Sequence, residues 1–127
     1  MPKTNNLELG RIGEQAAVQF LKGKGYSIIN TNYRTRLGQI DIIAKDKNTI
    51  CFVEVKTRRS GGFGFPGEAV DIYKQRKISQ VALIFLKQKK LLSFPARFDV
   101  IAITYIQDCP RIKLIKNAFE LDHRYCC

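Results

Sequence analysis

Between Gly38 and Arg59 two apolar runs, IDIIA and TICFVEVK, flank the polar turn signal KDKN, and this layout dictates a β-hairpin. The same runs carry Asp41, Glu54 and Lys56. Half-buried strands disfavour charge, and an Asp and a Glu facing each other across a ladder repel. If Lys47 and Asn48 form a two-residue turn, Asp46 pairs with Thr49, Ile43 with Phe52 and Asp41 with Glu54. Strand alternation then sets Glu54 and Lys56 on the face of Ile50 and Phe52, with Val53 and Val55 on the other. That face has an apolar base and a charged end, where the two carboxylates have Cβ atoms roughly 4.5–5.5 Å apart.

Such a pair is unfavourable unless a cation lies between its members. Oxygen ligands of this kind suit Mg²⁺ or Mn²⁺, and Lys56 adds a positive charge placed to stabilise an attacking hydroxide or a crowded phosphate. A second reading stays open at this point: Asp41 as an ordinary ion-pair partner of Arg34, Arg36 or Lys56. A three-residue loop would also move Asp41 off the shared face.

The rest of the chain supplies a framework for the hairpin. From Asn5 or Asn6 to about Lys22, the residues Leu9, Ile12, Ala16, Ala17, Phe20 and Leu21 recur at helical spacing, with closure expected near Gly23 or Gly25. YSIINTNYRT reads as a strand. SGGFGFPG is a Gly-rich loop carrying Phe63 and Phe65, placed either to stack on bases or to tuck into the core edge. A second helix fits Ala69 to Lys89, with Ile78, Val81, Ala82, Phe85 and Leu86 on one face. FPARFDVIAITYI is apolar enough for a central strand, and IKLIKNAFE is a short last element of either type. The order α-β-β-β-α-β, without repeat or linker, indicates one mixed α/β domain over residues 1–127.

Twenty-two Lys and Arg against 11 Asp and Glu leave a formal charge of +11, a surplus that points to a polyanionic partner, nucleic acid first and an acidic membrane surface second. No run approaches the ~20 apolar residues of a membrane span, and the first residues carry no signal-peptide pattern, so a cytoplasmic protein is expected. Cys51, Cys109, Cys126 and Cys127 are accordingly expected as thiols, Cys51 as a small core residue. A zinc site from Cys109, His123, Cys126 and Cys127 lacks CxxC spacing and contends with plain tail thiols. Arg34, Arg36, Lys56, Arg58 and Arg59 flank the charged hairpin end, and Lys74, Arg76 and Lys77 open the second helix, a distribution suited to gripping phosphates.

Asp41 followed by Glu54-Val55-Lys56 on the next strand looks like the PD-(D/E)xK nuclease signature. With the surrounding RIGEQAAVQFLKGKGYSIINTNYR, GQIDIIA, FVEVKTR, EAVDIYKQRKI and RFDVIAI, nearly the whole chain resembles the YraN-like family of uncharacterised bacterial proteins, which is similar to archaeal Holliday junction resolvases. The resemblance implies a restriction-endonuclease-like core, a mixed sheet flanked by helices, and a DNA endonuclease acting on branched or single-stranded structures. It further implies metal ligation by Asp41, Glu54 and the Val55 carbonyl, Lys56 on the attacking water, and Glu14 of the first helix assisting. A homodimer is the assembly such resolvases use. The family usually reads Gly-Glu-Ile-Asp where this chain has Gly38-Gln39-Ile40-Asp41, so a non-catalytic nucleic-acid-binding module is the alternative, and an adaptor docking an acidic protein partner is a third reading.

Overall fold

The computed structural model describes residues 6–59 and 71–119. It contains α1 (Asn6–Gly23), β1 (Ser27–Thr35), β2 (Gly38–Asp46), β3 (Thr49–Arg59), α2 (Ile72–Gln88), β4 (Ala96–Ile106) and β5 (Cys109–Phe119). The strands form one sheet in sequence order, β1 to β5. All neighbouring pairs are antiparallel except β3 and β4, whose parallel pairing requires the α2 crossover. One mixed sheet with a helix on each face is the expected mixed α/β core, and it is consistent with a restriction-endonuclease-like fold. The Gly-rich loop, His123, Cys126 and Cys127 lie outside the described residues, as does the expected first turn of the second helix at Ala69.

The helical spacing of apolar residues translates directly into two cores. Ala17 and Leu21 of α1, one turn apart, are fully buried against Ile42, Cys51, Val53 and Ile101. On the opposite sheet face Ile78, Val81, Ala82, Phe85 and Leu86 of α2 cover Ile43, Phe52, Phe98 and Val100. The central β3 is buried on both faces from Ile50 to Glu54. Cys51 is a buried thiol whose pKa burial pushes up to about 11, and Cys109 is an exposed thiol.

Helix α1 closes at Gly25, where Gly25 N bonds to Lys22 O and Tyr26 N to Leu21 O, a pairing that needs the positive φ of 90°. Two features depart from the sequence reading. The ambiguous last segment is a full antiparallel strand, β5, which begins at Cys109 rather than Ile112 and extends the expected order by one element. An unanticipated polar cluster also sits between α1 and the sheet: Arg97 Nε meets both oxygens of the fully buried Asp99 at 3.0 Å, and Arg97 Nη2 reaches Tyr26 Oη at 2.7 Å and Asp46 Oδ2 at 3.2 Å.

Candidate metal and phosphate site

The hairpin turn falls where the sequence places it: Asp46 pairs with Thr49, Ile43 with Phe52 and Ile42 with Val53, with Lys47 at φ 57°. Beyond Ile42 and Val53 the strands part before the expected Asp41–Glu54 pair. Ile40 and Ile43 share the α2-side core while Ile42 faces α1, so the two-residue alternation breaks around Asp41. In the neighbouring strand Asn32 takes a positive φ of 52°. The opened ladder leaves the Val55 N–H to the Asp41 side chain, whose Oδ2 accepts it at 2.8 Å. Asp41 Oδ1 accepts from Gln39 Nε2 at 3.1 Å, so Gln39 does lie beside Asp41. These bonds take the place of the ion pairs with Arg34, Arg36 or Lys56.

Helix α1 brings the third acid. Gly13 is buried against β3 so closely that an added Cβ would stand 2.0 Å from Thr57 Oγ1, and this approach carries Glu14 over the opened strands. Glu14, Asp41, Glu54, Val55, Lys56 and Thr57 line one pocket with Leu9 and Gly10, of about 380 Å³. Two other clefts, of about 300 Å³ beside α1 and about 710 Å³ near the far end of the sheet, gather no comparable set of carboxylates.

The electrostatics follow from that crowding. Burial and then the Asp41 carboxylate raise the Glu14 pKa, with Arg34 working against them. Burial and Asp41 likewise raise Glu54, which Lys74 and Lys56 oppose. Lys56 is lowered, first by burial and then by Lys74. Burial acts to lower Lys74, but its bond to Glu54 prevails and leaves it raised. Glu54 Oε1 receives a hydrogen bond from Lys74 Nζ and stands 3.7 Å from Lys56 Nζ. Glu14 Oε1 is buried without a hydrogen-bond partner among the described residues.

The donor set fits a hard divalent cation: carboxylate oxygens from three elements, one of them without a hydrogen-bond partner among the described residues, beside the Val55 backbone. The cage is not preassembled, because Asp41 is hydrogen-bonded and Glu54 is held by lysine. Among the described residues no three His, Cys, Asp or Glu side chains form a ready metal-holding group.

Every expected acid is therefore gathered in one place. Of the basic residues, Lys56 and Lys74 enter the cluster and Arg34 acts on Glu14. Arg58 and Arg59 continue β3, Arg36 lies between β1 and β2, and Arg76 and Lys77 lie further along α2. Sequence reasoning placed Lys74 among general phosphate contacts and missed its bond to Glu54, which spans 20 positions. No helix among the described residues is long and apolar enough to cross a membrane.

Comparison with known proteins matches residues 13–103 to the family described as Uncharacterised protein family UPF0102. A UPF0102 protein of Syntrophus aciditrophicus is 52% identical over 118 residues, covering 93% of each chain. Another, of Caldicellulosiruptor saccharolyticus, is 50% identical over 117 residues, covering 91% of this chain and 99% of its own length. Among solved structures, the crystal structure of SSO0001 aligns at 17% identity and a TM-score of 0.40, over 97% of this chain but only 57% of that one.

Proposed function

The chain belongs to the uncharacterised protein family UPF0102, and from that premise we propose that it is a divalent-metal-dependent endonuclease hydrolysing phosphodiester bonds in DNA, with branched or single-stranded structures as its substrates. The observation that carries this reading is the convergence of Glu14, Asp41 and Glu54 with Lys56 in one open pocket, where Glu14 Oε1 lacks a hydrogen-bond partner among the described residues. Crowded carboxylates oppose folding, and perturbed acids in a cleft are the signature of a working site.

Mg²⁺ or Mn²⁺ held by Asp41, Glu54 and the Val55 carbonyl, with Glu14 helping to hold the ion or its water, would acidify that water and neutralise charge on a phosphate. The protein groups have distinct tasks beside it. Glu14, with its raised pKa, is suited to take a proton from the attacking water. Lys56 directs its ammonium at the developing phosphate charge. Hydrolysis joins the water oxygen to phosphorus, breaks one P–O bond and delivers a proton to the leaving oxygen. Arg34, Arg36, Arg58, Arg59, Arg76 and Lys77 supply cations for flanking phosphates.

The test is a cleavage assay on four-way-junction and single-stranded DNA with Mg²⁺ or Mn²⁺. Wild type should cut, and Asp41→Ala, Glu54→Ala and Lys56→Ala should each abolish cutting while the fold persists; cleavage by all three variants would sink the proposal. The non-catalytic nucleic-acid-binding reading is favoured by one observation, that Gln39 donates to Asp41 where an acid would have added a ligand. It predicts salt-sensitive DNA binding that needs no metal, and no cleavage until Gln39→Glu restores it.

A further inference from the structure

Lys74 lies in the first turn of α2, where the Asp71 side chain accepts a hydrogen bond from its backbone N–H at 2.8 Å. That is the wrong place for a cation by helix physics alone. Helix N-termini carry partial positive charge and favour acids, and the first turn of α2 contains none. What holds the ammonium is tertiary: its bond to Glu54 Oε1, on a side chain only 10% exposed. Lys56 Nζ approaches the same oxygen at 3.7 Å, so two ammonium groups present to the three-acid cluster the double positive charge that one divalent ion carries.

We propose that Lys74 is a built-in, exchangeable counter-cation, which satisfies Glu54 in the metal-free protein and must release it before a divalent ion can bind. The inference rests on the metal-site reading above and extends it to how the site is kept when empty. Release is mechanically simple. The buried face of α2 begins only at Ile78, whereas Ile72 and Tyr73 in the first turn are 52% and 73% exposed. The flexible four-carbon stem can therefore swing without unpacking the core, and the freed ammonium becomes a donor for substrate phosphate at the pocket rim.

The experiment is calorimetric titration of Mn²⁺ into the full chain, without DNA, for wild type, Lys74→Met, Lys74→Gln, Lys74→Arg and Lys87→Met. Removing the competitor should tighten Mn²⁺ binding about tenfold or more in both neutral Lys74 variants, a coupling of ordinary size between exclusive ligands. Lys74→Arg, which keeps a cation on Glu54, should show no such gain. Lys87→Met removes a charge from the exposed last turn of the same helix and should change the affinity much less.

Wild-type binding that stays unchanged or weakens in folded Lys74→Met and Lys74→Gln would overturn the exchange proposal and leave the metal site standing. An equal gain in Lys87→Met would overturn it too, by reducing the effect to net charge. No Mn²⁺ binding by any variant would overturn both readings together. Circular dichroism of each variant establishes that it is folded, and agreement between the Met and Gln variants separates loss of the ammonium from a packing fault.

Discussion

The sheet carries buried charge in two places, and they are built on opposite plans. Around Arg97 every acid has a fixed donor: Asp99 accepts Arg97 Nε on both oxygens and Asn117 N at 2.9 Å, while Asp46 and Tyr26 take the remaining arm. Burial acts to lower the Arg97 pKa, but the Asp99 and Asp46 carboxylates that accept from it hold it above its already high ordinary value. At the candidate site three carboxylates are crowded instead, two of them with raised pKa, and an oxygen of Glu14 has no donor among the described residues. The difference teaches where the chain spends stability. A guanidinium fork locked onto carboxylates is a structural solution, whereas an acid cluster held by flexible lysines leaves room for an incoming cation.

The hardest blow to that contrast falls on the matched cluster. Asp99→Ala takes from Arg97 the buried carboxylate whose two oxygens share its Nε–H, and breaking a buried pair from one side costs about 3–5 kcal/mol. Urea unfolding should show a loss of this order. A loss below about 1 kcal/mol would mean that Arg97 does not depend on its fork, and the distinction between the clusters would collapse.

Gly13→Ala tests how tightly the candidate site is assembled. The new methyl group would meet Thr57 Oγ1 at 2.0 Å, so α1 must lift from β3. Overpacking of this kind destabilises by about 1–3 kcal/mol, against which the better helix propensity of Ala returns about 1 kcal/mol. The net loss should accompany weaker Mn²⁺ binding, because Glu14 moves with the helix; unchanged binding would show that Glu14 is dispensable.

Asp41→Asn should have a smaller effect on stability and a large one on function. The amide oxygen can still accept the Val55 N–H, so unfolding free energy should change by no more than about 1 kcal/mol. Saturable Mn²⁺ binding should disappear. A stability loss as large as that of Asp99→Ala would place Asp41 with the structural acids.

Much of this architecture was legible in the sequence because local rules fixed it. The Lys47–Asn48 turn set the hairpin register, and helical spacing named all five buried residues expected on α2. The Arg97 cluster had a weak signal, an Arg and an Asp two positions apart on an otherwise apolar strand, and so on one face. What alternation cannot foresee is where it stops. The parting of β2 from β3 at Asp41 depends on a side chain taking over a ladder hydrogen bond and on the irregular neighbour Asn32. Lys74 was equally hidden, since its place in a basic run suggests phosphate contact while its bond to Glu54 arises only from the packing of α2.

The subtlest effect belongs to Glu14, and its sign follows from linkage. Its folded pKa is raised above the ordinary 4.5, so its contribution to stability is full below that value and is lost as pH rises through the folded pKa. At neutral pH the ionised acid therefore works against the fold, and Glu14→Gln should melt at a higher temperature than wild type. Well below the ordinary 4.5, where the acid is protonated in both states, the gap should close. Saturating Mn²⁺ should reverse the order at neutral pH, because an ion that binds only the folded chain stabilises most the protein that keeps its ligands. A variant that stays ahead of wild type with Mn²⁺ present would show that Glu14 is crowded without being a partner of the ion, and would reduce the cluster to Asp41 and Glu54.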